Sequence, residues 1–154
     1  MKARNNYMAL KILLLLIFLS VVSVAKSQEG ALVVIGNQQG VPAILKYSEL
    51  RSILMGEKQR WRNGSKIVIA LMKTNTATGK ITSKKLYDMS GDELNKFWLS
   101  LVFQGKAPAP AFFNTAAELQ NFVSQNPGSI GIIDQLVLND NLRTIIIDGK
   151  SRIL

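Results

Sequence analysis

Four short apolar runs rich in β-branched residues punctuate this chain: residues 31–35 (ALVVI), 67–71 (IVIAL), 130–133 (IGII) and 144–147 (TIII). Runs this short, bounded by Gly, Asn and Asp, read as buried strands and not as helices. The segments between them carry helix signals. Ser90 and Glu93 have capping-box spacing, and Met89 and Leu94 have that of a hydrophobic staple. Leu94, Phe97, Trp98, Leu101 and Val102 then share one helical face, with Phe103 beside it, and Gln104-Gly105 is the stop. Thr115 and Glu118 repeat the box before Leu119, Phe122 and Val123, and Asn126-Pro127-Gly128 closes that helix. A shorter helix is expected from Ser48 as N-cap through Leu50, Ile53 and Leu54, with Gly56 in a left-handed C-terminal position. Strands separated by helices predict a layered α/β domain.

The start of the chain does not fit that pattern. Residues 1–11 hold Lys2, Arg4 and Lys11 and no acid, and residues 12–25 (ILLLLIFLSVVSVA) are almost wholly apolar. Ala25 and Ser27 offer small residues where a signal peptidase reads. The pattern predicts a secretory signal over residues 1–27, cleaved to leave one domain over residues 28–154. The alternative, an uncleaved anchor, needs a longer run than this one, because a bilayer span takes about 18–20 residues. No membrane association is expected after cleavage. Removing four basic residues lowers the net charge from +9 to +5, with 15 basic and 10 acidic residues remaining.

There is no cysteine and no histidine. Thiol nucleophiles, Ser-His-Asp triads and thiolate or imidazole metal sites are therefore excluded, and the usual side chain that titrates near neutrality is missing. Asp92 and Glu93 are adjacent acids, but both fall in a first helical turn, where carboxylates favour the helix dipole. The composition argues against an enzyme and calls for no metal or cofactor. Export without cysteine suits a bacterial periplasm.

Residues 73–83 (KTNTATGKITS) are the best ligand-site candidate. A small oxyanion needs many donors with little side-chain bulk, which hydroxyls and glycine-exposed N–H groups supply. Thr76, Thr78, Gly79, Lys80, Thr82 and Ser83 are the expected main donors. Asn37 and Gln38, after the first strand, are the expected second set, because ligands in open α/β sheets sit beyond strand carboxyl ends. The competing reading of residues 73–83 is a solvated loop between strand and helix. Arg60-Trp61-Arg62, with Lys58 and Lys66, forms a basic patch around one aromatic. A single aromatic, ten acids and the export pattern argue against a nucleic-acid partner. The packing reading makes Trp61 a plug over the helix end near Gly56, its indole N–H reaching a loop carbonyl.

Three stretches resemble the phosphate-transport substrate-binding proteins. In the first, Ile53-Leu54, Met55 and Gly56 end a helix, Trp61 follows, and Asn63-Gly64 turns into the next strand. In the second, Phe97-Trp98 through Phe103-Gln104-Gly105-Lys106 resembles the "YW…FxGK" stretch of the family's short members. In the third, Pro127-Gly128-Ser129-Ile130-Gly131 is similar to the family's "PGAIGY". The resemblance covers residues 31–134. It implies a single periplasmic-binding-protein-like lobe, a mixed sheet flanked by helices, because full-length members close two lobes over the ligand and this chain is long enough for one. It also implies non-catalytic binding of a small anion such as phosphate in the periplasm. The alternative is an interaction or adaptor module on the same fold, with a periplasmic protein as partner. Two departures stand out: residues 73–83 lack the family's arginine and Ser-Gly-Thr run, and Ile132 replaces its tyrosine.

Overall fold

In the computed structural model, which describes residues 30–135 and 139–153, the first three apolar runs assemble into one mixed sheet and the fourth divides between it and a two-stranded sheet. The expected signal segment lies outside the described residues. In chain order the strands are β1 (Val33–Asn37), β2 (Ile44–Leu45), β3 (Val68–Met72), β4 (Ala111–Phe113), β5 (Ser129–Ile133), β6 (Leu142–Thr144) and β7 (Ile146–Ile147). The five-stranded sheet has the order β4-β3-β5-β1-β6, and β2 pairs separately with β7. β3 is parallel to both β4 and β5, whereas β1 is antiparallel to β5 and to β6.

Alternation of side chains sends each strand's residues to two cores. Leu32, Val34, Leu71, Ile130 and Ile132 face the larger one. It is closed by α1 (Tyr47–Leu54), by α2 (Ala77–Thr82) with its π-helical continuation Ser83–Tyr87, and by α3 (Gly91–Phe103). Val33, Ile35, Ala70, Met72 and Ile133 face the smaller core, under Leu119 and Val123 of α4 (Ala116–Gln125). Gly131 lets α4 approach, since a Cβ there would lie 2.6 Å from Leu119 Cδ2. Burial holds the Tyr87 hydroxyl well above the usual phenol range, so it stays neutral within the larger core.

Both capping boxes form as expected, because they depend only on residues three apart. The Ser90 N–H donates to Glu93 and holds its carboxyl below the usual carboxylate range. That cap is present at neutral pH and is lost as pH falls through the acid range. Ser90→Ala and Thr115→Ala are each expected to cost about 1 kcal/mol in urea unfolding.

Several local expectations are corrected. Helix α1 begins before Ser48: Lys46 is its N-cap, with no side-chain cap. Asp148, from beyond β7, accepts the Tyr47 N–H at 3.2 Å, so a distant residue does the capping. Residues 144–147 divide between two sheets at the buried Ile145. Strand β4, whose three residues carry no distinguishing pattern, was not foreseen. Much of the stretch 73–83 is helix, which continues until Leu86 and Tyr87 are buried. On α3 the buried face stops at Trp98 and the half-buried Leu101, leaving Val102 42% and Phe103 82% exposed.

Trp61 is 4% exposed and cannot stack on a base. Its Nε1–H donates to the Gly128 carbonyl at 2.8 Å, so it is a plug with its polar edge satisfied. It sits against the turn entering β5 and not, as expected, over Gly56. The aromatic beside Gly56 is Trp98.

Candidate functional site

The register decides which loops can share a site. Met72 ends β3 alongside the end of β5, because Val68 aligns with Ser129 and Ala70 with Gly131. β1 runs the other way, with Val33 against Ile133 and Gly36 against Ile130. Asn37 and Gln38 therefore lie at the opposite end of the sheet from residues 73–83, and the two predicted donor sets do not converge. Asn37 is buried and fully engaged. Its Nδ2 donates to the Val123 and Ser124 carbonyls at 2.8 and 3.0 Å, and its Oδ1 accepts from Gln39 N–H at 2.8 Å. It caps carbonyls in the last turn of α4, where helix geometry leaves carbonyls without intrahelical donors, and shares the Val123 carbonyl with the Ser129 hydroxyl, which donates to it at 3.0 Å. Gln38 Nε2 donates to the Asp140 carbonyl at 2.7 Å.

At the carboxyl edge, the Lys73 N–H extends the sheet by donating to the Phe113 carbonyl at 2.9 Å. The Lys73 carbonyl then accepts the N–H of Thr76 at 2.9 Å and its hydroxyl at 2.8 Å, which turns the chain. Thr76 Oγ1 in turn accepts the Gly79 N–H at 3.0 Å and caps α2. Thr76 and Gly79 thus satisfy one another. Gly79 also permits contact: a Cβ there would stand 2.0 Å from the Lys73 carbonyl oxygen.

Thr82 and Ser83 are each 1% exposed and point into the protein. The Ser83 hydroxyl donates to the Lys80 carbonyl at 3.0 Å, and Thr82 Oγ1 has no partner among the described residues. Neither faces a ligand at this edge. Lys80 is exposed. Thr78 is buried, and its hydroxyl donates to Asp134 Oδ2 at 2.7 Å. Asp134, which directly follows β5, is the polar partner that sequence reasoning missed, 56 residues away from Thr78. Thr74 is the other addition, its Oγ1 accepting from Asn95 Nδ2 of α3 at 3.1 Å.

This edge offers the first-turn N–H groups of Ala77 and Thr78, which helix geometry leaves without intrahelical acceptors. It adds the Thr78 hydroxyl and the Asp134 carboxylate, and Lys80 stands exposed two residues further along α2. Three cavities of about 400, 420 and 440 Å³ lie elsewhere, none lined by residues 73–83. Among the described residues no group of three or more acidic side chains is placed to hold a metal ion.

No family model matches the sequence, and no curated protein matches it. The fold is found in solved structures. An ABC-type phosphate transport receptor from Vibrio cholerae superposes with a TM-score of 0.61 at 16% identity, covering 79% of this chain and 47% of the receptor. A putative phosphate ABC transporter substrate-binding protein with bound phosphate, from Clostridium perfringens, gives 0.62 at 14% identity, covering 79% and 46%. The chain spans about half the length of these structures. Its architecture is that of a single periplasmic-binding-protein-like lobe, a mixed sheet flanked by helices.

Proposed function

We propose that this lobe belongs to an exported, periplasmic, non-catalytic solute-binding protein that takes a phosphate-like oxyanion at the carboxyl edge of its sheet. The observation that carries the reading is the Thr78–Asp134 pair beside the first turn of α2, on a fold shared with phosphate receptors. The Ala77 and Thr78 N–H groups supply donors, Lys80 supplies positive charge, and Thr78 holds Asp134 in place. A carboxylate repels a fully deprotonated anion but accepts a hydrogen bond from a protonated one. The site therefore favours phosphate, which keeps a proton at neutral pH, over sulfate, which does not. Thr76, Gly79, Thr82 and Ser83 have structural roles in this reading, and Asn37 and Gln38 take no part.

Calorimetric titration of the purified protein tests it. Phosphate is expected to bind and sulfate to give no heat. Thr78→Val should weaken phosphate binding about tenfold, the scale of one hydrogen bond. Absence of heat and of any thermal shift with millimolar phosphate removes the reading.

A second reading, an interaction module that keeps the fold without the ligand, is favoured by the exposure of Leu99, Val102 and Phe103 along α3. It requires a stable partner in periplasmic extract whose capture is lost on Phe103→Glu.

A further inference from the structure

A cavity of about 400 Å³ opens at the amino end of β3, on the far side of the sheet's length from Thr78 and Asp134. Its existence follows from the topology. β4 begins only at Ala111 and pairs with β3 from Ala70 onward, so residues 67–69 have no β4 neighbour. The chain before β4 contains Pro108 and Pro110, which have no N–H with which to extend the ladder. It bows away and leaves an apolar hollow, with Ile53, Ile67, Ile69 and Trp98 among its walls. Trp98 is 2% exposed and is held edge-on by Phe97 at 5.5 Å.

The mouth is built rather than loose. Gln59 Nε2 donates to the Gly56 carbonyl at 3.1 Å and to the Lys106 carbonyl at 2.6 Å, tying the end of α1 to the linker. Arg60 Nη1 donates to the Gly64 carbonyl at 2.8 Å, which fixes the guanidinium and leaves its other N–H groups. Three cations, Lys58, Arg60 and Lys66, line the opening, and no acid does. Lys58 pairs with Glu49, whereas Arg60 and Lys66 have no ion-pair partner among the described residues. The volume falls within the ~300–1,000 Å³ range of small-molecule sites.

We propose that this cavity binds a small amphipathic carboxylate. The apolar body lies against Ile69, Pro108 and Ala109, over a floor of the buried Ile53, Ile67 and Trp98, and the carboxylate is held at the rim by Arg60 and Lys66. An apolar wall with an unopposed cationic rim is complementary to that ligand class. A neutral apolar molecule would leave the rim unused, and an inorganic anion would leave the hollow unfilled. Arg60 and Arg62 thus part company: Arg60 lines this mouth, whereas Arg62 lines a different cavity.

Octanoate below its micellar concentration is the probe, with 1-octanol and inorganic phosphate as comparison ligands, followed by calorimetry on the purified protein. Octanoate is expected to bind saturably and more weakly as salt rises. Octanol should bind at least about tenfold more weakly, as expected for loss of charge-assisted hydrogen bonds. The double variant Arg60→Gln/Lys66→Gln should bring octanoate down to the level of octanol. Ala109→Trp, a change at an exposed lining residue, should block both ligands with little change in Tm. Phosphate should not displace octanoate, which separates this site from the one at Thr78. Equal binding of octanoate and octanol, indifference to the double variant, undiminished binding to Ala109→Trp, or no saturable binding overturns the proposal.

Discussion

Trp61→Ala is expected to destabilise the protein by about 3–5 kcal/mol, the range for removing a large buried aromatic. Two losses combine. The indole is 4% exposed and belongs to the larger core, so truncation leaves a cavity beneath the loop of residues 59–67, which closes on itself where Arg60 bridges Lys66 and the Ile67 N–H donates to the Gln59 carbonyl at 2.9 Å. The bond from Nε1 to the Gly128 carbonyl also disappears. That carbonyl accepts the Val68 N–H too, at a longer 3.3 Å, so the tryptophan sits where β3 and β5 begin to pair. Trp61→Phe separates the two losses. It keeps most of the apolar contact, removes the donor, and should cost about 1 kcal/mol more than its packing change alone. Urea unfolding monitored by circular dichroism, which does not depend on the deleted fluorophore, measures both. A midpoint for Trp61→Ala close to that of the parent would contradict the plug assignment.

Gly79→Ala gives the second large effect, and its sign is diagnostic. Helix propensity alone predicts a gain of about 1 kcal/mol from replacing a helical glycine. Contact predicts the reverse. The new methyl would stand 2.0 Å from the Lys73 carbonyl oxygen and 2.9 Å from that of Met72, both backbone atoms with no rotamer to change. Helix α2 must lift from the end of β3, at an expected cost of about 3 kcal/mol, the upper end for overpacking. The shift would also move Thr78 relative to Asp134, so any phosphate binding should weaken along with stability. A variant as stable as the parent would show that α2 does not seat as closely as this.

What was legible in the sequence was short-range. The capping boxes at Ser90 and Thr115, the left-handed Gly56 and the β-branched strands all appear, because each signal and its cause lie within a few residues. The burial of Trp61 was readable from its place between a helix stop and an Asn-Gly turn, although its neighbour was not. The candidate site fared differently. The Thr78 hydroxyl is legible as a donor, but nothing near it in sequence points to Asp134. Thr82 and Ser83 looked like donors because hydroxyls usually face water. The helical phase that follows Thr76 turns them inward, and that phase is set by burial of Leu86 and Tyr87. Ser48 failed as a cap for a related reason, since Asp148 reaches the helix start from across the fold.

By itself, then, the sequence determined a layered α/β domain, the two helix starts that carry capping boxes and the apolar strands, because local hydrogen bonding and short-range apolar patterning are properties of the chain within a few residues. The tertiary structure alone decided strand order and direction. Had β1 run parallel to β5, Asn37 would stand at the same edge as Thr76. Its antiparallel course sends Asn37 to the other end, where it caps α4. The same late start of β4 that no local pattern announced opens the cavity beneath Arg60 and Lys66. Strand pairing is a long-range choice made by whichever arrangement buries both faces of the sheet, and it fixes which polar residues meet.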